Sequence, residues 1–279
     1  MLQNVQIYII TIVNMNDAVG ICKLCQLERK LIKQSHIIPD FMYKQLIKES
    51  AKLMKYNQDG ISGKVPVQTG IFEKYILCVE CDTIRLNRWE TVSSIFLYGQ
   101  NIKNGFKTEK VITPDGLELV IANNAPYEQF KLMLLSIFWR IHIASNPFFK
   151  NGKMPEHHAE ALRQMIMNED AGIPSKYRVA AAALQAFNKD IIYNVAGPRY
   201  IPEANSLFFI AGGMLYMLEL GPGSSESFFD RFHSRENNSD TIVMPILRGA
   251  LAYETLCGFM GEQHATMITI GRANHKPKL

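Results

Sequence analysis

Cys22-Lys23-Leu24-Cys25, then Ser35-His36-Ile37-Ile38-Pro39, then Leu77-Cys78-Val79-Glu80-Cys81-Asp82 are the three pieces of sequence that decide how this chain is read. A Cys-x-x-Cys turn folds back so that both of its sulfurs point at one site. Two such turns complete a four-sulfur tetrahedral shell, and soft thiolates in a closed shell suit a structural Zn²⁺. The pairs flank residues 26–77, a longer excursion than a compact zinc finger has. Two unrelated pairs, redox thiols, or iron in the same four-thiolate shell are the alternatives. A thioredoxin-type motif needs one pair in a strand-to-helix setting, not two. The expectation is therefore one zinc ion held by Cys22, Cys25, Cys78 and Cys81. The fifth cysteine, Cys257, stands in the apolar run Leu251 to Cys257 and reads as core filler.

Composition narrows the class. The chain has 279 residues, 47% hydrophobic and 20% charged, with a net charge of +4. A balance this mildly basic permits nucleic-acid binding without arguing for it. The longest apolar run, Leu132 to Trp139 between Lys131 and Arg140, is too short to span a membrane. No membrane association is expected. Gln6 to Val13 is apolar and strand-like, without the positive leader and small-residue cleavage site of a signal peptide. Two readings of it stand: an edge strand, or translated sequence ahead of a start at Met15. Cysteine pairs without a secretion signal point to a reducing, cytoplasmic setting.

Outward from the cysteines, residues 1–17 read as an N-terminal extension, 18–97 as a zinc module and 98–279 as a larger body. Within the module, apolar spacing predicts a helix that starts after Pro39, with Asp40 as N-cap, and continues to Leu53-Met54. Asp59-Gly60 and Ser62-Gly63 mark a loop. Phe72 to Leu77 reads as a strand feeding Cys78. Ile84, Trp89, Val92, Ile95 and Phe96 predict a helix beyond Cys81.

In the body, Lys110–Thr113 and Leu117–Ile121 about Pro114-Asp115-Gly116 predict a hairpin. Tyr127 to Ile143, apolar around most of its circumference, predicts a central buried helix. A second helix opens at Pro155 and runs to Met167. The alanine-rich Val179 to Phe187 reads as a third. Ile191–Tyr193, Leu207–Ile210 and Met214–Leu218 read as strands, and Val243 to Leu256 as a closing helix. The fold class expected is α+β: a zinc module packed on a larger, mainly helical body with some strands.

The three opening pieces, taken together, resemble the treble-clef (ββα-metal) arrangement of HNH endonucleases over roughly the first third of the chain. The resemblance implies a hairpin and helix that carry the site, with the four cysteines as its support. It implies His36 as general base on a water, and Ser35 and Asp82 as ligands of a catalytic Mg²⁺ or Mn²⁺. It also implies DNA or RNA as the partner. The chain departs from that pattern in four respects. Members usually carry Asp or His where Ser35 stands, and Asn or His where Asp82 stands. The middle Asn is absent, with Glu73 and Lys74 near its place, and a helix is inserted between the motif pieces. These departures keep a second class open: a non-catalytic zinc protein acting as a nucleic-acid or protein interaction module. The whole chain also resembles a group of bacterial proteins that join this cysteine segment to a helix like Phe130-Lys131 … Ser136-Ile137-Phe138-Trp139-Arg140. That likeness bears on the fold and implies no activity.

Several other residues are candidates. Arg140, beside His142 on the central helix, reads either as a buried, paired structural charge or as lining a site that faces the zinc segment. Trp89 is expected to pack the zinc helix on the body, with Glu90 a second candidate metal ligand. Glu156, His157, His158 and Glu160 group together, but adjacent helical positions diverge by about 100°, so the pair of histidines reads as a solvated helix start. Lys23, Arg29, Lys30 and Lys33 form a basic cluster that holds phosphate if a cleaving site is near, and is ordinary surface otherwise. Gly212-Gly213 and Gly221-Pro222-Gly223 read as turns, since no phosphate-loop pattern accompanies them.

Overall fold

The first cysteine pair lies in the turn of a small hairpin. In the computed structural model, which describes residues 18–44, 53–55, 65–67, 70–99, 107–192, 195–221 and 240–260, β1 (Val19–Ile21) pairs antiparallel with β2 (Glu28–Lys30). Gln26 turns the chain between them at φ 59°, and Cys22 N–H donates to the Leu27 carbonyl at 3.0 Å. Next, β3 (Ser35–His36) reaches across a long excursion to pair with β6 (Phe72–Glu73), Ser35 opposite Glu73 and His36 opposite Phe72. Inside that excursion β4 (Leu53–Lys55) and β5 (Val65–Val67) form a second antiparallel pair.

The helix expected from Phe41 to Met54 is thus corrected. Residues 41–44 are helical, but Leu53–Lys55 is extended. Its cross-strand partner Val65–Val67 supplies the hydrogen bonds that a helix would have found within itself. The loop expected at 59–63, and the strand-like run at 6–13, lie outside the described residues.

Cys78 and Cys81 stand at the start of a helical run. Glu80–Leu86 is a wide π-helical turn that passes directly into α1 (Asn87–Tyr98). The hairpin expected after it is present as β7 (Lys107–Ile112) and β8 (Glu118–Asn123). The long apolar helix is α2 (Tyr127–Ile143), buried from Phe130 through Ile141. Its last carbonyls, orphaned at any helix end, are met by lysines. Lys153 Nζ donates to the His142 and Ala144 carbonyls and Lys23 Nζ to that of Ile143. A 3₁₀ turn (Pro147–Gly152), capped by Asn146, leads to α3 (Glu156–Asn168), which ends at Glu169 in a left-handed conformation.

The rest of the body is more sheet-rich than expected. β9 (Val179–Gln185), β10 (Ala196–Ile201), β11 (Ser206–Ala211), β12 (Met214–Glu219) and β13 (Ile242–Arg248) join β7 and β8 in one seven-stranded sheet. Its order is β10-β11-β12-β9-β13-β8-β7, antiparallel except where β13 runs parallel to β9. A mainly helical body is therefore corrected to a mixed α/β one.

Two elements account for the difference. Alanine content predicts a helix over Val179–Phe187. Within it, Val179–Gln185 is the central strand instead, and its residues alternate between two cores. Val179 and Ala181 face the cluster around α2, while Ala180, Ala182 and Leu184 face the cluster around α4 (Ala250–Met260). A strand covered on both faces reads as an unbroken apolar run, so period cannot reveal it. Similarly, Val243 to Leu256 splits into β13 and α4 at Gly249, whose φ is 60°. Pro245 disguises the strand. Parallel pairing with β9 begins only at Ile246, so on that side the missing N–H of Pro245 costs no ladder bond. Of Ile191–Tyr193, Ile191 makes a single bridge to Gln185, and Tyr193 lies outside the described residues.

One continuous buried cluster runs from Cys22, Leu24, Ile37 and Ile38 through Trp89 and Phe96 to Phe130, Leu134, Phe138 and Phe209. The α1 helix meets the sheet at the β11–β12 turn, where Tyr98 Oη donates to the Gly212 carbonyl at 2.9 Å. Gly212 has φ 58°, and a Cβ there would stand 2.1 Å from that hydroxyl.

Candidate metal centre

The four cysteines predicted as ligands come together. Their sulfurs all lie within 4.8 Å of one another, a group able to hold a metal ion such as zinc. Cys25 Sγ and Cys78 Sγ are 4.0 Å apart, close to the edge of about 3.8 Å that a tetrahedron with 2.3 Å Zn–S bonds requires. Cys22, Cys78 and Cys81 are buried and Cys25 is partly exposed. The donor set is soft and closed, so it fits zinc in a structural role.

Backbone geometry presents the sulfurs. Two main-chain bonds zip the first knuckle to the second: Lys23 N–H to the Ile76 carbonyl at 2.9 Å and Ile32 N–H to that of Leu77 at 2.9 Å. Cys78 N–H points at Cys22 Sγ at 3.4 Å, and Arg85 Nη1 lies 3.9 Å from Cys81 Sγ. The hydrogen bond between Cys81 and Cys22 holds the Cys22 thiol down to about 4. The same bond pushes Cys81 up, and burial pushes Cys78 up to about 11. Among Cys22, Cys78 and Cys81, a thiolate at Cys22 opposes ionisation of the other two.

From the other side Arg163, only 8% exposed, donates Nη1 to the Leu24 carbonyl at 2.7 Å. Glu160 grips the same guanidinium with both oxygens, at 2.8 and 2.7 Å. Sequence reasoning missed Arg163. Its signal was present: it falls on the buried stripe Ala159, Leu162, Arg163, Ile166, where a charge needs a partner.

The residues assigned to catalysis fall into place unevenly. Ser35, fully buried, donates Oγ to Asp82 Oδ1 at 2.5 Å. His36 follows on the same strand, half-buried, with its ring edge-on to Phe72. His36 Nε2 is buried and has no hydrogen-bond partner among the described residues. Glu73, near the place of the missing Asn, accepts from Asn146 N–H at 2.6 Å and from Ser145 Oγ at 2.8 Å. Its carboxylate thereby ties β6 to the chain after α2.

Arg140 is the buried, paired charge of the first reading, and it reaches the zinc segment through one backbone carbonyl. It is 2% exposed and paired with Glu90, Nη2 to Oε1 at 2.7 Å, and its Nη1 donates to the His36 carbonyl at 2.6 Å. Glu90, a second candidate metal ligand, is engaged in this pair. His142 is satisfied on both nitrogens: Nδ1 accepts from Met154 N–H at 3.2 Å and Nε2 meets Glu156 at 3.1 Å. It lies beside a cleft of about 300 Å³ bounded by Cys22, Lys23, Trp139, Glu156 and Arg163. His158 Nδ1 pairs with the Tyr177 hydroxyl at 3.1 Å, and among the described residues only the four cysteines gather as a metal-ligating group. The basic residues Lys23, Arg29, Lys30 and Lys33 are all exposed, and Lys23 also donates to α2. Among the described residues no helix is long and apolar enough to cross a membrane. Comparison with family models, with curated proteins and with solved structures found no match to this chain.

Proposed function

We propose that this protein is a metal-dependent nuclease of HNH-like design, in which a treble clef held by a four-cysteine zinc site presents Ser35, His36 and Asp82 to a phosphodiester. The observation that carries this reading is the convergence of Ser35 Oγ and Asp82 Oδ1 at 2.5 Å, with His36 next on the strand. The order of β3, β6 and the helical run from Glu80 is strand, strand, helix, as the ββα arrangement requires.

Ser35 and Asp82 offer two hard oxygens, a donor set that fits Mg²⁺ or Mn²⁺, since such ions keep several waters and need few protein ligands. A cation bound there supplies charge stabilisation for the phosphate and the leaving oxygen. Ser35 and Asp82 would hold such a cation only with the Ser35 hydroxyl turned from its bond to Asp82. His36 accepts a proton from water, the water oxygen bonds to phosphorus, the phosphorus–oxygen bond to the sugar breaks, and the leaving oxygen takes a proton from solvent. Exposed Arg29, Lys30 and Lys33 supply backbone contacts on DNA or RNA.

The test is nicking of supercoiled plasmid, and cleavage of a structured RNA, with Mg²⁺ or Mn²⁺. Wild type is expected to cut and His36→Ala to lose roughly 100-fold or more. Equal cutting by the variant removes His36 from the role of base.

One observation favours a second reading, an interaction module without catalysis. His36 Nε2 is buried, whereas Val19, Ile21, Leu27, Val79 and Ile84 of the module are exposed. Retarded DNA or RNA on a gel, without cleavage by wild type in either metal, supports that reading instead.

A further inference from the structure

We infer that Arg140, with Glu90, is a positioning residue that fixes the His36 side chain; this rests on the nuclease reading and names how its site is held. The peptide unit joining His36 to Ile37 is gripped at both ends. Its carbonyl accepts from Arg140 Nη1 at 2.6 Å, and its N–H donates to the Ile71 carbonyl at 3.1 Å. A peptide plane held at both ends leaves the His36 backbone torsions little freedom. The ring then leaves the backbone in one direction.

The second arm of the guanidinium reaches the other half of the site. Arg140 Nη2 donates to Glu90 Oε1 at 2.7 Å. Glu90 belongs to α1, which continues the helical turn bearing Asp82. The root of the side chain is locked too: Nε donates to the Ser136 carbonyl at 3.3 Å and Nη2 to Ser136 Oγ at 3.4 Å. One buried side chain on α2 thereby ties the strand of His36 to the helical run of Asp82. A planar fork does this and an ammonium does not, because two donors must point in fixed, different directions. Arg163, also buried, does not duplicate the link, since it grips the first knuckle and not β3.

The experiment compares wild type with Arg140→Lys, and with Glu90→Gln as the milder variant. Histidine side-chain ¹⁵N spectra, zinc content and plasmid nicking are recorded on the full chain. In zinc-replete, folded Arg140→Lys the His36 ring resonances are expected to move while those of His157 and His158 stay. Nicking is expected to fall by about 10–100-fold, the usual cost of losing a supporting contact. If Arg140→Lys does not fold, Glu90→Gln is expected to move the same His36 resonances in the same direction. Unmoved His36 resonances in a folded variant overturn the inference. Wild type that cuts nothing overturns the nuclease reading, and the spectra still decide whether Arg140 sets His36.

Discussion

Ser35 Oγ and Asp82 Oδ1 stand 2.5 Å apart although 47 positions separate the two residues. One lies on a short strand and the other on the first turn of a helix, and the fold closes a serine hydroxyl onto a carboxylate in a partly buried place. If this pair is half of a cation site, Asp82→Ala lowers Mn²⁺ affinity by roughly 10-fold or more, because the charged ligand is lost. Ser35→Ala lowers it less, because a hydroxyl is a weak ligand. Titration followed by the Mn²⁺ electron paramagnetic resonance signal checks the order. Equal affinity in all three proteins removes the site.

The zinc reading makes a separate prediction. Freshly purified protein is expected to carry one zinc per chain. Cys78→Ser is expected to lose it and to unfold residues around the knuckles, since binding to such a site contributes about 10–16 kcal/mol. Cys257→Ser is expected to keep it, because Cys257 packs in the cluster around α4 and not with the other cysteines. Elemental analysis and circular dichroism before and after chelation distinguish the cases.

Arg163 couples the knuckle to α3. Arg163→Ala leaves the Leu24 carbonyl without its buried donor, and this is expected to cost about 1–3 kcal/mol in chemical denaturation. Zinc loss to a chromogenic chelator is expected to quicken in the same variant. An unchanged release rate would show that the knuckle is held by its own backbone bonds alone.

Lys131 gives a pH signature. It is fully buried on α2, its Nζ donating to the Ile173 and Lys176 carbonyls at 2.9 and 2.7 Å. Burial pushes it down from the ordinary 10.5 to about 8, with Asp170 opposing. Below about pH 8 the folded protein bears the cost of the buried charge. Between about 8 and 10.5 the unfolded chain still holds the proton while the folded one has released it, so stability rises with pH there. The amount recovered is about 3 kcal/mol. Lys131→Met is expected to lack that rise, as urea denaturation at about pH 7.5 and about pH 10, below that window and near its upper end, will show. A rise of the same size in the variant refutes the assignment.

The cysteine ligands were legible because Cys-x-x-Cys spacing is a local property: a tight turn aims both sulfurs one way wherever it occurs. The β7–β8 hairpin and the α2 helix were legible for the same reason, each stated by its own turn residues or apolar circumference. The sheet was not. Val179–Gln185 carries helix-favouring alanines, and only partners on both flanks and cores on both faces make it the central strand. Leu53–Lys55 likewise is extended because Val65–Val67 pairs with it.

Ser35, His36 and Asp82 were named only through the resemblance to HNH endonucleases. Arg140 donating to the His36 carbonyl across 104 positions, and Arg163 to that of Leu24 across 139, came from tertiary structure. Both arginines donate to main-chain carbonyls, which every residue carries alike, so no side-chain pattern announces such a bond. Local geometry is written in neighbouring residues. Long-range pairing depends on what the rest of the chain brings alongside, and only the folded molecule decided it here.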